Sequence, residues 1–424
     1  MSRKTRLAVT GLISVVALVL AAATVSFGQS GGTDFVSYIG SSKKGAAKGS
    51  TIKIGYVNQQ GGQVVIGANA TDGAKAAVAY INQHGGIQGH KVQLVTCFIK
   101  SADEEGTTCG QKLGNDKNIK LIATGGVVAG IQSFYKALNG RKPVVTGVAT
   151  TGVDGVQKNA VVLFGDSTHV LGPLGTYAKT VLKAKTAAVI YPNTDTVRVG
   201  AQAIIRGLQN AGVAVKSAAY AQGQADLSAP LAAANAKSAD VVFAYSDASG
   251  CANQAIALQQ IGYTDAKRIV SAPLCLNPMV SAALPSKDFP IWTYSIASSL
   301  YGDTTDKDMR TYMKIIGPSL TAAGSKANLA PDPWVIVDFG ETLTAAKILN
   351  QVAAGGDMSK LTTANIVKAL KAFKGPQALG APALGCGKYS GAPSVCNDRT
   401  QFFTYEGKNK WKKASAWLQP TKKS

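Results

Sequence analysis

Few residues in this sequence are of the types that perform catalysis. Of its three histidines, only His169 has a hydroxyl nucleophile close by, Ser167. Asp166-Ser167-Thr168 before a helical pattern is more typical of a helix cap than of a nucleophile and its base. The single G-x-S-x-G sequence, Gly28 to Gly32, lies in a Gly/Ser-rich stretch and not between a strand and a helix. We therefore predict that the chain is not an enzyme, with a secreted hydrolase as the remote alternative.

A glycine loop raises the question of phosphate binding. Gly62 and Gly67 follow the apolar run Ile52 to Val57 and have the G-x-x-x-x-G spacing of a phosphate loop. Ala68 and Asn69 occupy the positions at which such a loop has Lys and Ser/Thr. We therefore expect no nucleotide and no cofactor, and we expect the glycines to let the backbone approach a different ligand.

Small polar residues follow many of the predicted strands. Hydroxyls, free backbone N–H groups and helix N-termini are the groups needed to bind a carboxylate or another polar oxygen group. The loops that carry them are 60–67, 124–130, 149–151, 193–196, 246–247 and 272–277. Each residue by itself is typical of a cap or a turn, so only their concentration at strand ends predicts a binding site.

The elements that position these loops alternate regularly from Thr51 onward. Short apolar runs separate longer helical patterns, which predicts βαβ units and open parallel sheets with ligands beyond the carboxyl ends of the strands. The strand candidates are 52–57, 91–97, 119–123, 143–148, 160–164, 186–191, 213–217, 240–245, 268–272 and 291–296. Ten strands divide more naturally into two sheets of about five. The fold class is therefore α/β, with two Rossmann-like lobes, a long helix that starts at Asp332-Pro333, and a final hairpin that turns at Glu406 to Asn409.

The N-terminus has the pattern of an export signal. Three cations within residues 1–6 precede an apolar run over 7–27, so residues 1–28 are a cleaved signal peptide or a retained membrane anchor. The Gly/Ser/Lys-rich residues 29–50 are predicted to be a flexible spacer. We expect an exported protein of the periplasm or the outer face of the cell membrane. The N-terminal segment is the part of the chain through which we expect contact with the membrane surface.

Charge and cysteine content fit an exported chain. The net charge of +21 favours loose association with anionic envelope polymers or lipid surfaces. Nucleic acid is not expected, because only Thr404 to Lys413 approaches a basic cluster interleaved with aromatics. The six cysteines match no zinc pattern, so no metal is expected, and in an oxidising compartment local disulfides are favoured over free thiols. The predicted pairs are Cys97 with Cys109, Cys251 with Cys275, and Cys386 with Cys396.

The stretch Gly55 to Val95 carries a family resemblance. Its small-residue loop ending in glycine, the helix step Gly73-Ala74 and the sequence I-N-x-x-G-G-I-x-G from Ile81 to Gly89 resemble the leucine/isoleucine/valine-binding proteins. These are type I periplasmic solute-binding proteins that serve ABC importers. The resemblance extends, mainly in element order, from Thr51 to about Trp417.

The resemblance implies two lobes joined by three crossovers, with one small molecule bound in the cleft by hinge closure. Lobe 1 is expected at 51–165 plus 297–375, and lobe 2 at 166–296 plus 376–424. An ABC permease and its ATPase are the implied partners, and the chain is expected to be a monomer.

The candidate ligand contacts follow from the resemblance and from the strand ends together. Val127 and Val128 stand where the family has a serine, and Leu274 stands near the family's acid. The full set is Gln63, Ile66, Val127, Val128, Ala149, Thr150, Thr151, Asp195, Thr196, Ser246, Asp247 and Leu274.

The missing acid leaves the ligand's charge open. A buried ammonium without a carboxylate partner is strongly unfavourable. Either Asp195 or Asp247 supplies that charge, or the ligand has no ammonium. The predicted function is capture of a small polar molecule, a branched-chain amino acid or an amide-like compound, for an ABC importer. The alternative is a membrane-anchored ligand-sensing domain with the same cleft.

Overall fold

The computed structural model describes residues 32–62 and 67–421. The predicted signal or anchor segment, 1–28, lies outside these ranges, as do Gln63 and Ile66. No helix within the two ranges has the length and apolar character needed to cross a membrane.

The first sheet is parallel throughout, as predicted. Its strands are β1 (Gly49–Gln59), β2 (His90–Ile99), β3 (Ile119–Thr124), β4 (Val144–Ala149) and β5 (Ala160–Asp166). They lie in the order β2-β1-β3-β4-β5. The strands are mostly buried because helices cover both faces, which explains their near-continuous apolar sequences.

The second sheet is parallel in its first five strands and ends in the predicted hairpin. Its strands are β6 (Thr186–Pro192), β7 (Ala214–Tyr220), β8 (Val241–Ala244), β9 (Ile269–Ser271), β10 (Thr293–Ile296), β11 (Gln401–Gly407) and β12 (Lys410–Lys413). The order is β12-β11-β10-β9-β8-β6-β7, and β11 is antiparallel to both its neighbours. The two-sheet α/β fold class is therefore confirmed.

Helices connect the strands and cover the sheets. They are α1 (Phe35–Ile39), α2 (Ala70–Gln83), α3 (Asp103–Asn115), α4 (Ile131–Leu138), α5 (Pro173–Thr180), α6 (Asp195–Asn210), α7 (Ser228–Ala233), α8 (Ala248–Gln260), α9 (Pro278–Ala283), α10 (Lys307–Ala322), α11 (Pro333–Val352) and α12 (Thr363–Ala372). The long helix α11 begins as predicted, since the Asp332 carboxylate accepts from the N–H groups of Trp334 at 2.8 Å and Val335 at 3.4 Å.

The helix step Gly73-Ala74 has a packing role. A Cβ atom at position 73 would lie 2.5 Å from the carbonyl oxygen of Val335, so α2 packs directly against the backbone of α11. Most residues of α11 are buried, and the helix contributes Phe339 and Leu343 to the core of the first lobe.

The spacer prediction is wrong for residues 32–50, which fold onto the first lobe. Asp34 caps α1 by accepting from the N–H groups of Val36 and Ser37 at 3.0 and 3.2 Å. Phe35 and Ile39 are buried in the first-lobe core, and β1 already begins at Gly49. Phe35 and Ile39 are spaced as on one face of a helix, and their burial against the first lobe stabilises α1. This stabilisation exceeds the tendency of the Gly/Ser/Lys-rich composition to remain flexible.

Residues 376–396 also differ from the expected lobe division. Leu379 and Leu384 lie in the core of the first lobe. The backbone of Val162 in β5 donates to the carbonyl of Ser394 at 2.8 Å and accepts from the N–H of Cys396 at 3.0 Å. The third crossover therefore lies between this segment and β11, and not at Pro376, where the expected lobe division placed it.

The three predicted disulfides are confirmed. They join Cys97 to Cys109, Cys251 to Cys275, and Cys386 to Cys396. The first connects β2 to α3 and the second connects α8 to the turn after β9. Two of them therefore restrain loops on the side of the sheets at which the candidate ligand residues were predicted.

Candidate functional site

The topology gathers the predicted loops at the carboxyl edges of both sheets. In the first sheet β1, β3 and β4 are neighbours, and in the second sheet β6, β8 and β9 are neighbours. The connections leaving β1 and β3 diverge, as do those leaving β6 and β8. Such switch points form crevices in which α/β proteins bind ligands.

Hydrogen bonds hold the first-lobe loops to one another. The Gln59 side-chain oxygen Oε1 accepts from the N–H groups of Val128 at 2.8 Å and Ala129 at 3.0 Å. The Thr150 hydroxyl donates to the carbonyl oxygen of Val127. The ends of β1, β3 and β4 are thus connected through their polar groups, and this connection fixes the backbone around Thr150.

The predicted contacts in these loops differ in exposure. Val127 is buried among apolar side chains of α3 and α4, whereas the Val128 side chain is 42% exposed. Ala149 is buried against Val162. The Thr151 hydroxyl oxygen accepts from the N–H of Val153 at 3.2 Å and so stabilises a turn. Of this set, Val128, Thr150 and Thr151 are the residues with surface open to solvent.

The glycine loop after β1 is shaped by the protein's own packing. Gly67 has φ +61°, and a Cβ atom there would lie 2.5 Å from the Trp334 indole. A Cβ at Gly62 would lie 2.7 Å from the carbonyl oxygen of Lys100. A ligand that approaches the backbone is therefore not needed to explain these glycines, because close contacts within the protein already require them.

In the second lobe, Asp247 is a helix cap. Its Oδ1 accepts from the N–H of Gly250 at 3.1 Å and from the Ser249 hydroxyl at 2.7 Å. Its Oδ2 accepts from the Gln222 amide at 3.2 Å. The carboxylate thus lies between α8 and the loop after β7, with both oxygens engaged.

The other second-lobe candidates lie in separate environments. Asp195, at the start of α6, is 94% exposed and pairs with the Arg198 guanidinium at 2.5 Å. Ser246 is buried, and Leu274, in the turn after β9, is 49% exposed. Thr196 belongs to the first turn of α6, and its side chain lies outside the described part of the structure.

Two buried carboxyl groups of α11 are hydrogen-bonded to the strands that precede the first-lobe loops. The Tyr56 hydroxyl donates to Asp338 Oδ1 at 2.6 Å, and burial raises the pKa of Asp338 to about 8. Glu341 accepts a long hydrogen bond of 3.4 Å from the N–H of Thr124, and burial together with Asp338 raises its pKa well above the usual range. Both groups are therefore held neutral at neutral pH.

A third buried carboxyl group continues this polar network. The Thr124 hydroxyl donates to the Thr146 hydroxyl at 3.0 Å, which donates to Asp154 Oδ1 at 3.1 Å. Tyr135 donates to the same oxygen at 2.7 Å, while burial raises the pKa of Asp154 to about 6. Carboxyl and hydroxyl groups thus link the ends of β3 and β4 immediately before the candidate loops.

His169 has a structural role. Its backbone N–H donates to Asp166 Oδ1 at 2.7 Å, and its ring Nδ1 lies 2.8 Å from the same oxygen. The predicted helix cap at Asp166 is wrong, since α5 begins only at Pro173; the Asp166 carboxylate instead stabilises the turn that follows β5. Within the two described ranges, no group of three His, Cys, Asp or Glu side chains is placed to bind a metal.

Comparison with known proteins identifies the family. The family model for periplasmic binding proteins matches residues 51–387, and the chain belongs to this family. The resemblance inferred from Gly55 to Val95 is thereby confirmed. No curated protein sequence gave a significant match.

Solved structures share the fold at low identity. A leucine-binding protein of Thermotoga maritima is 14% identical, with TM-score 0.63 over 87% of this chain and 99% of that one. The branched-chain amino acid binding protein of Streptococcus pneumoniae, solved with isoleucine, is 17% identical, with TM-score 0.60 over 84% and 96%. A solute-binding protein from R. palustris, solved with 4-hydroxybenzoate, is 16% identical, with TM-score 0.64 over 88% and 98%. One fold thus accommodates ligands with and without an ammonium group.

Two residues at this edge were not anticipated from the sequence. Gln59 holds the loop after β3, and Gln222 holds Asp247. The available signal for Gln59 was a polar amide at the end of a buried strand, which requires a partner. Gln222 lies in an exposed loop and carried no such signal.

Proposed function

We propose that this protein is the extracytoplasmic solute receptor of an ABC importer. It captures a small polar molecule between its lobes and presents the closed form to a membrane permease that an ATPase drives. The observation that carries the proposal is the arrangement of Thr150 and Asp247. Each lies in a hydrogen-bonded loop at the carboxyl edge of its sheet, in a chain of the periplasmic binding protein family.

The ligand we propose has no ammonium group that needs a carboxylate partner. Asp247 is engaged at both oxygens, and Asp195 is exposed and paired with Arg198. Pairing either carboxylate with a ligand ammonium group would break contacts that the protein already makes. An amide-like compound or an organic acid held by backbone N–H groups fits these loops better than a branched-chain amino acid, and the Thr150 hydroxyl oxygen, whose hydrogen is donated to Val127, can still accept from an amide N–H of the ligand.

The test is a thermal-shift screen of the exported chain. Amino acids, amides, organic acids, sugars and aromatic acids are compared at equal concentration, since a ligand of the native state raises its stability. We expect an amide or an acid to raise the melting temperature. Stabilisation by branched-chain amino acids alone would contradict the ligand class while leaving the receptor role intact. Failure of all these solutes to stabilise the chain would contradict the receptor role.

A further inference from the structure

The amino edge of the first sheet, at which its parallel strands begin, carries a row of cations. The strands lie in the order β2-β1-β3-β4-β5, so the residues that start them are side by side. A lysine or arginine stands within three residues of every strand start. Because neighbouring strands are about 4.8 Å apart, the row extends over roughly 20 Å. Its members are Lys91 at β2, Lys48 at β1, Lys117 and Lys120 at β3, Arg141 and Lys142 at β4, and Lys158 at β5.

Contacts between strand starts hold the middle of this row together. The Lys142 ammonium donates to the carbonyl oxygens of Asp116 and Ile119, both at 2.8 Å, and so connects the starts of β3 and β4. Burial lowers the pKa of Lys142, and the positive charges of Lys120 and Arg141 lower it further. The cations of the row are therefore close enough to repel one another.

Little negative charge balances the row. Among the described residues within three positions of these strand starts, Asp116 is the only carboxylate, and it already pairs with the Lys53 ammonium at 2.9 Å. Four exposed lysines of the row have no side-chain hydrogen bond or ion pair to another described residue, namely Lys48, Lys91, Lys117 and Lys158. The amino edge is thus a surface of exposed, unpaired positive charge.

The other edges differ in their balance of charge. On the carboxyl side of the first sheet, the loop after β2 places Lys100 beside the acidic run Asp103 to Glu105. At the amino edge of the second sheet, an acid precedes each of β8, β9 and β10, and one of these acids, Asp265, lies 3.6 Å from the Arg268 guanidinium. The three acids are Asp240, Asp265 and Asp288. Cations at the first-sheet edge have no such counterpart.

A row of lysines along one sheet edge fits a linear polyanion. Lysine binds phosphate as a point charge and does not need the planar geometry that arginine uses for bidentate contacts. Successive anionic groups of an extended polymer each meet a cation of the row, and each contact releases counterions. A bilayer is typically bound by a face that adds apolar side chains to its cations, whereas this row follows the line of strand starts.

We propose that the amino edge of the first sheet binds a linear, phosphate-bearing polymer of the cell envelope. The lysines of the row contact successive phosphates along the polymer. Because the strands run from this edge to the candidate ligand loops, the polymer lies at the opposite end of the lobe and leaves those loops free. It therefore holds the exported chain in the envelope while solute capture continues.

The test is calorimetric titration of the full exported chain with long-chain inorganic polyphosphate and, at equal phosphate concentration, with triphosphate. We expect polyphosphate to bind at low salt and triphosphate to bind much more weakly, because only the long chain contacts the whole row. The affinity for polyphosphate should fall steeply as salt is added.

Two variants of equal net charge locate the binding surface. The edge variant combines Lys48→Gln, Lys91→Gln, Lys117→Gln and Lys158→Gln. The control variant makes the same change at four exposed lysines of the second lobe, Lys185, Lys216, Lys237 and Lys267. We expect the edge variant to bind polyphosphate roughly tenfold or more weakly, with a shallower salt dependence. The control variant should stay within about threefold of the parent, because distant charges are screened.

Four results would overturn the proposal. Absence of polyphosphate binding excludes this class of polymer. Equal losses in the edge and control variants show that net charge, and not the amino edge, attracts the polymer. Triphosphate that binds as tightly as polyphosphate indicates a site for a single anion. Binding to phosphatidylglycerol vesicles without binding to polyphosphate identifies the row as a lipid-binding surface. The melting temperatures of both variants should equal that of the parent, which verifies that the replaced lysines do not support the fold.

Discussion

The hydroxyl of Tyr56 on β1 donates a 2.6 Å hydrogen bond to the carboxyl group of Asp338 on α11, and both side chains are buried. This bond joins the strand before the glycine loop to the longest helix of the first lobe. The strength of this hydrogen bond depends on whether Asp338 carries a proton. Its contribution to stability can therefore be measured by varying the pH.

Stability should fall as pH rises through the range in which Asp338 is neutral only in the folded state. The pKa of Asp338 is raised by burial from 3.8 to about 8, so between these values the folded chain binds a proton that the unfolded chain has lost. The slope of unfolding free energy with pH is therefore negative in this window. Asp154, with its pKa raised to about 6, contributes in the same direction up to that pH.

Asp338→Asn tests this assignment, because the amide oxygen still accepts from Tyr56 but does not ionise. Its melting temperature should change less between pH 4 and pH 8 than that of the parent. Asp240→Asn is the control, because backbone N–H groups of Lys185 and Thr186 lower the pKa of that exposed carboxyl and place its effect below this window. Equal slopes for the parent and Asp338→Asn would show that Asp338 is ionised in the fold.

Thr150→Ala should weaken binding of the ligand found in the screen by roughly 1–2 kcal/mol, the range for a lost hydrogen bond. The hydroxyl donates to the Val127 carbonyl and holds the two first-lobe loops together. Calorimetric titration gives the affinity, and circular dichroism verifies the fold. Unchanged affinity would remove Thr150 from the site.

Asp247→Asn should leave the affinity for that ligand within a few-fold of the parent value. Asparagine caps helices about as well as aspartate, so α8 is retained. A loss of binding with an intact fold would show that the ligand carries a cationic group that Asp247 neutralises. Calorimetric titration at two salt concentrations separates the outcomes, because an ionic contact weakens with salt.

Gly67→Ala should lower the free energy of unfolding more than Gly212→Ala. Both glycines have positive φ, +61° and +72°, but a Cβ at Gly212 meets nothing within 4 Å whereas one at Gly67 meets the Trp334 indole. The difference between the two losses of unfolding free energy measures the steric contact with Trp334. Overpacking of this kind typically costs roughly 1–3 kcal/mol. Urea unfolding measures both variants, and equal losses would show that Trp334 moves aside at no cost.

Replacing Cys97 and Cys109 together by serine should lower the free energy of unfolding by about 2–3 kcal/mol, as the chain-entropy model predicts for a short loop. The pair closes a loop with a sequence separation of 12. Urea unfolding under oxidising conditions measures the loss, and the oxidised parent, which keeps all three disulfides, is the comparison. A variant as stable as the oxidised parent would contradict a stabilising role for this disulfide.

Much of the fold was predictable because its signals are local. The Asp332-Pro333 start of α11, the apolar strands and the final hairpin each depend on neighbouring residues, and each is observed. The short α1 was missed because residues 29–50 have a flexible average composition, although Phe35 and Ile39 have helical spacing. The segment 376–396 was assigned to the other lobe because only its contacts with distant residues such as Val162 place it.

The sequence by itself determined the two-sheet α/β architecture, the disulfide pairs and the edge of each sheet on which polar loops lie, since strand order and chain direction follow from βαβ connections. Only the tertiary structure decided which loop residues face solvent and which carboxylates are already engaged. Gln59 contacts Val128 across 69 positions, and Tyr56 contacts Asp338 across 282. Side-chain direction and charge depend on such distant partners, and a local sequence pattern contains no information about them.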